Sequence, residues 1–136
     1  MPEPLLKVPT SWTPLHSVAY LLLGVSIADG SIDEAEMNAV RRMVARHGQC
    51  SPEEADAAVS LAFAWLQHVL GEQGRDGFLR SLHSHATRLA NHYGPPKLRA
   101  VVTDMLAVAQ ADGSLDDAEV VLIQAVANDW QVSDEG

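Results

Sequence analysis

A nine-residue segment occurs twice in this chain, 83 residues apart, and it limits the available folds more than any other feature. The first copy reads ADGSIDEAE over residues 28–36, and the second reads ADGSLDDAE over residues 111–119. Seven of the nine positions are identical. The match extends upstream, where Leu23 and Val25 face Leu106 and Val108 at the same offset. The sequence therefore indicates an internal duplication in which each acidic copy follows an apolar segment.

Apolar residues recur at helical spacing from residue 14 onward, and no long stretch alternates with the period of a strand. The first predicted helix begins near Pro14 and is apolar on nearly all sides, which indicates burial. Two helices follow from Pro52, separated by a loop from Gly71 to Gly77, and a fifth begins at Pro95. We therefore predict a compact all-α bundle of about six helices, in which a pseudo-twofold relates two helix–turn–helix units.

Each acidic copy is expected to start the helix that follows it. Ser31 is the predicted cap of the second helix, and Glu34 completes a capping box with it. Ser114 and Asp117 are the corresponding pair in the second copy. Acidic residues in a first helical turn are favourable without any ligand, by about 0.3–1 kcal/mol each. Capping alone thus explains much of the pattern, but it does not require four acidic residues in each copy.

The negative charge is concentrated in these two copies. The 136 residues carry a net charge of −9, and residues 29–36 and 112–119 supply eight acids and no base. Such a chain is a poor ligand for nucleic-acid phosphates, so no nucleic-acid partner is expected. The most apolar run, residues 18–25, is far shorter than the roughly 20 residues that span a bilayer. No direct membrane insertion is expected either.

The length fits one domain. Residues 1–13 contain three prolines and no helical period, so we expect an extended arm followed by a single all-α domain over residues 14–136. The single cysteine, Cys50, excludes an internal disulfide and a cysteine-based zinc site, and we interpret its side chain as packing. Because no leader pattern opens the sequence, the expected location is the cytoplasm.

The acidic copies are the candidate functional site. Asp33 and Glu36 lie three residues apart and would share one helix face, and Asp116 and Glu119 repeat this arrangement. Oxygen clusters of this kind suit hard cations such as Ca²⁺, Mg²⁺ or Mn²⁺. A conventional EF-hand is excluded because apolar residues stand where the first half of its loop needs oxygen ligands. A helix N-terminus repels a cation, so metal binding is expected mainly if the fold brings both copies together.

The repeated pattern Ala-Asp-Gly-x-(Ile/Leu)-x-x-x-Glu, each copy following an apolar helix, resembles that of the TerB-like tellurite-resistance proteins. It is also similar to the accessory domain of membrane-linked DnaJ-type co-chaperones. The resemblance covers roughly residues 14–133 and implies a compact all-α fold, a divalent-metal site and a role in stress response or in multi-protein assembly. The metal ligands that it implies, by position, are Asp29, Asp33, Glu36, Asp112, Asp116 and Glu119.

Histidines of the predicted fourth helix form a second candidate site. His85 and His92 share a helix face, but no third ligand accompanies them, so a transition-metal site is not favoured. His85 also lies near the apolar stripe of that helix. We interpret it as a half-buried histidine with its hydrogen bonds satisfied.

Three function classes follow from these patterns. The leading hypothesis is a non-enzymatic stress-response or tellurite-resistance-type protein that binds a divalent ion, Ca²⁺, Mg²⁺, Mn²⁺ or Zn²⁺, at its acidic turns. The alternative is a metal-free interaction module that docks a basic protein partner through the acidic patch. A metal-dependent hydrolase ranks third, because nothing in the sequence marks a positioned nucleophile or base. We therefore expect a protein partner and no enzymatic activity.

Overall fold

Five α-helices account for most of the residues that the computed structural model describes, which are 12–27, 32–110 and 117–130. No strand occurs among these residues, and the all-α prediction is confirmed. The predicted arm, residues 1–13, lies outside the description except for Trp12 and Thr13. In chain order, the helices are α1 (Pro14–Ile27), α2 (Glu34–Gly48), α3 (Pro52–Ala90), α4 (Pro95–Ala109) and α5 (Asp117–Trp130).

The first helix, α1, forms the centre of the bundle. Every residue from Ser17 to Ser26 is buried, because apolar side chains cover this helix on all sides and the four other helices contact it. Gly24 lets α3 come close, since a Cβ atom there would lie 2.8 Å from Leu82 Cδ2. The predicted burial of this helix is confirmed.

One helical element, α3, spans the third and fourth predicted helices and the loop between them, and two helical segments meet in it at a kink. The helix continues through residues 71–77 and is interrupted only at Gly74, whose φ of 68° and ψ of −168° are non-helical. This backbone conformation is essentially restricted to glycine. The described count is therefore five helices and not six, because the glutamate, glutamine and arginine beside Gly74 are good helix formers.

A buried polar contact joins α2 to α4. His47 Nε2 lies 2.5 Å from Asp104 Oδ2, and their side chains are only 5% and 7% exposed. The more exposed Arg46 guanidinium also pairs with Asp104. Burial by itself raises the pKa of Asp104, but the hydrogen bonds from His47 and Arg46 outweigh it, and the pKa is lowered. The sequence signal for this contact is a lone acid among the apolar residues of α4.

None of the described helices is long and apolar enough to cross a membrane. The pseudo-twofold relation between the two halves stays a prediction.

Candidate metal centre

The first acidic copy, described from Ile32 onward, forms the N-terminus of α2. Asp33 is the N-cap residue, and its Oδ1 accepts a hydrogen bond from the Glu36 backbone N–H at 2.7 Å. Glu36 Oε1 accepts one from the Asp33 backbone N–H at 3.1 Å. These two bonds are a capping box, so the predicted box of Ser31 and Glu34 is wrong by two residues.

The later start has a physical reason. Aspartate caps a helix as well as serine does, so both frames satisfy the local rule. With Asp33 as the cap, Ile32 and Met37 take the two positions of a hydrophobic staple, and both side chains pack partly buried against the core. Tertiary packing therefore decides between two starts that the sequence alone leaves nearly equal.

Two of the six predicted metal ligands thus have a structural role. The Glu36 side chain is buried, with 3% of the residue exposed, whereas Asp33 is exposed. The capping bonds use Asp33 Oδ1 and Glu36 Oε1, and each carboxylate has a second oxygen that these bonds do not use. Capping by itself therefore uses one oxygen of each carboxylate.

The other four predicted ligands are not described. Asp29, Asp112 and Asp116 lie outside the described residues, and so does the side chain of Glu119. Within the described side chains, no group of three or more histidine, cysteine, aspartate or glutamate residues could hold a metal ion. The six-residue metal site therefore stays a prediction.

One cavity is lined by residues from the neighbourhood of both acidic copies. Ile27 is the last residue before the first copy, and Asp117 belongs to the second; both line a cavity of about 680 Å³ between α3 and α5. The helices that precede the two copies, α1 and α4, are also in contact. A cation shared between the copies requires this kind of proximity.

The histidine candidates are not brought together as a site. His85 is 3% exposed, and its Nδ1 lies 3.2 Å from Ser17 Oγ, which also accepts a hydrogen bond from Trp12 Nε1 at 2.8 Å. Burial, with a smaller contribution from Arg88, lowers the pKa of His85 to about 4. The imidazole is therefore neutral near pH 7. It lies deeper than the predicted half-buried position, and its Nδ1 has a hydrogen-bond partner. His92 is exposed.

These observations define the class of protein as a small all-α bundle in which an acidic capping box starts the helix after a central apolar helix. The family model for tellurite resistance protein TerB matches residues 15–136, which is most of the chain. The chain therefore belongs to the TerB family, and the predicted resemblance is confirmed. No curated protein and no solved structure matches the chain significantly.

Proposed function

We propose that this TerB-family protein is a non-enzymatic, cytoplasmic stress-response protein of the tellurite-resistance type, whose two acidic copies together bind one divalent cation. Membership of the family supports the tellurite-resistance type of role. The structural observation that carries the metal proposal is the cavity wall shared by Ile27 and Asp117, one next to the first acidic copy and one within the second.

Electrostatics favour a cation shared by both copies over a separate ion in each. The N-terminus of α2 carries the positive end of the helix dipole, which opposes a cation beside Asp33 and Glu36. Carboxylates from both copies together offset that opposition. A divalent ion also reduces the repulsion among the eight acids of residues 29–36 and 112–119, two segments that contain no basic residue. The proposed ligands are Asp29, Asp33, Glu36, Asp112, Asp116 and Glu119.

The concentration of acids also supports a second candidate function. Eight acidic side chains in two short segments without a base would attract a basic segment of a partner protein. In that case the acidic copies form a metal-free docking surface. A cation would then compete with the partner for this surface instead of stabilising the folded protein.

A thermal-shift titration of the full chain tests the metal proposal. Ca²⁺, Mg²⁺, Mn²⁺ and Zn²⁺ are each added to protein stripped with EDTA, and at least one should raise the Tm, because a ligand that binds only the folded state stabilises it. The D29N/D112N double variant should lose this rise. The exposed Glu72 and Asp76, outside both copies, provide the charge-matched control E72Q/D76N, which should keep it.

Asp33 separates the metal role from the capping role. Asparagine is as good an N-cap as aspartate, so D33N should keep the metal-free Tm and reduce the rise caused by the cation. The metal proposal is wrong if no cation raises the Tm, or if the rise is unchanged in D29N/D112N. Stabilisation of the EDTA-treated protein by a lysine-rich peptide, with none by cations, would favour the docking function.

A further inference from the structure

We propose that a groove between α3 and α5 binds an amphipathic α-helix of a partner protein. This α5 groove is the cavity of about 680 Å³ described above, and apolar side chains form most of its surface. Its principal apolar residues are Phe78, Leu79, Leu82, Val121, Leu122 and Val126. The site is distinct from the acidic capping box, and its occupant does not depend on a metal ion.

Two polar contacts join α3 and α5 near one end of the groove. The Trp130 indole N–H donates to the Ala86 carbonyl oxygen at 2.7 Å, and His83 Nδ1 lies 2.7 Å from Asp129 Oδ2. Asp117 lies twelve residues before Asp129 on α5, which is about 18 Å along the helix axis. The apolar stripe is therefore long enough for about three turns of a helix laid beside α5.

Two large apolar side chains in the groove are exposed to solvent. Leu79 is 40% exposed and Val121 is 65% exposed, and they are the two large hydrophobic residues classed as exposed in the described part of the chain. Both line the groove. Exposed apolar side chains gathered in one concave place are typical of a surface that another molecule covers.

The other acidic copy provides an internal comparison. At the offset of 83 residues, Val121 and Ala125 of α5 correspond to Asn38 and Arg42 of α2. All four side chains are exposed, so burial within the bundle does not explain the difference in polarity. The solvent-exposed face of α2 is polar, which is usual for an exposed face, whereas the equivalent face of α5 is apolar. An additional helix packed on α5 accounts for that difference.

Two charged residues that line the groove favour a helix over a lipid or a small apolar ligand as its occupant. Arg75 on α3 and Asp117 on α5 both line the groove, and neither forms an ion pair with another described residue. A helix that carries an acid on one flank and a base on the other would pair with both, as flanking residues do in coiled coils. A fatty acid has a single anionic head group and would pair with Arg75 alone.

Designed peptides test the proposal with the full chain in EDTA, so that a failure of the metal proposal does not affect the result. The probe peptide has leucines at i, i+3, i+4 and i+7 spacing, glutamates along one flank and lysines along the other. The control peptide has the same composition with its leucines spread around the helix. The probe should bind, with chemical-shift changes at groove residues, and the control peptide should not.

Two lysine substitutions on α5 provide a matched pair of variants. V121K places a charge in the groove and should weaken peptide binding by about tenfold or more, the loss expected for a central contact residue. Gln124 is exposed on the same helix and does not line the groove, so Q124K should bind as the unmodified chain does. D117R should also weaken binding, and R75D/D117R should restore it, because the peptide can then lie in the opposite direction.

Several results would overturn the proposal. One is equal binding of the two peptides, and another is an equal effect of V121K and Q124K. A dimer of the unliganded chain that V121K dissociates would assign the groove to a second copy of the protein. Chemical-shift changes in the groove caused by dodecanoate, without any peptide binding, would assign it to a lipid.

Discussion

The two helices that follow the acidic copies, α2 and α5, differ in how they are fixed to the bundle. Near its C-terminal end, α2 is anchored by Arg46 and His47, which contact Asp104 of α4. At the same offset, α5 has Asp129 and Trp130, which bond to α3 through His83 and the Ala86 carbonyl oxygen. In each helix the first of these positions is exposed and the second is buried.

The comparison shows which properties of the two copies are kept and which have diverged. Both helices have an anchor at the same register, but one uses a buried charge and the other a buried indole. The neighbours differ as a result: α2 is anchored to α4, whereas α5 is anchored to α3 at one end and leaves the α5 groove beside it. The divergence therefore lies in side chains that reach other helices, and the acidic sequence itself is nearly unchanged.

The largest expected effect comes from breaking the anchor of α2. D104A leaves the nearly buried His47 without its partner, and a buried polar group left without a hydrogen bond costs about 1–3 kcal/mol of unfolding free energy. D129A breaks the more exposed pair of α5, where both side chains are more than a third exposed, and should cost about 1 kcal/mol or less. Urea unfolding measures both losses, and equal losses would contradict the difference between the anchors.

The burial of His85 on α3 should make the stability of the protein sensitive to acid. His85, which faces α1, has a folded-state pKa of about 4 against 6.5 when unfolded, so its contribution to stability is fully present above pH 6.5. That contribution falls as the pH drops from 6.5 to 4, by about 3 kcal/mol in total at 1.36 kcal/mol per unit. Asp104 acts in a different window, because its pKa is lowered from 3.8 and its contribution is lost only as the pH falls below that value.

Unfolding free energies measured between pH 7 and pH 4 check this expectation. H85Q should flatten the dependence in that window. A slope that H85Q does not alter would show that other groups cause the acid sensitivity.

A smaller effect is expected at the start of α2. D33A removes the side-chain cap and should cost about 1 kcal/mol, whereas D33N should cost almost nothing. Thermal unfolding in EDTA gives both values. The matching substitution in the second copy, D116A, sharpens the comparison: an equal loss would extend the same capping role to α5, and no loss would restrict it to α2.

The smallest expected effect on stability is that of V121N, which gives α5 the residue found at the equivalent position of α2. Because Val121 is 65% exposed, the unfolding free energy should change by about 0.5 kcal/mol or less. The same variant should lose binding of the probe peptide. The reciprocal variant N38V should not create a binding site on α2. A large loss of stability in V121N would mean that the side chain is needed by the bundle itself.

The helix starts at Pro14, Pro52 and Pro95 were predictable because their signals are local. Proline at a first helical position has the required φ already, and Ser51 before Pro52 forms a capping box with Glu54, which is also a local signal. The start of α2 was not predictable, since Ser31 and Asp33 each have a glutamate three residues later. Only the packing of Ile32 and Met37 against the core distinguishes the two frames.

The contacts that distinguish the halves were beyond the sequence for a different reason. Asp104 lies 57 residues from His47, and Trp130 lies 44 residues from Ala86, so no local pattern connects them. The break in α3 was predicted to be longer than it is, because three glycines in residues 71–77 suggest a loop while only Gly74 leaves the helical conformation.

The burial of α1 has a consequence for how the protein is made. This helix is synthesised before the other four. Its apolar surface is fully covered only when all of them have left the ribosome. A nascent chain that ends before α4 would expose it to water and to neighbouring chains. The contacts of α1 with α4 and α5 therefore form only after the C-terminal part of the chain has been synthesised.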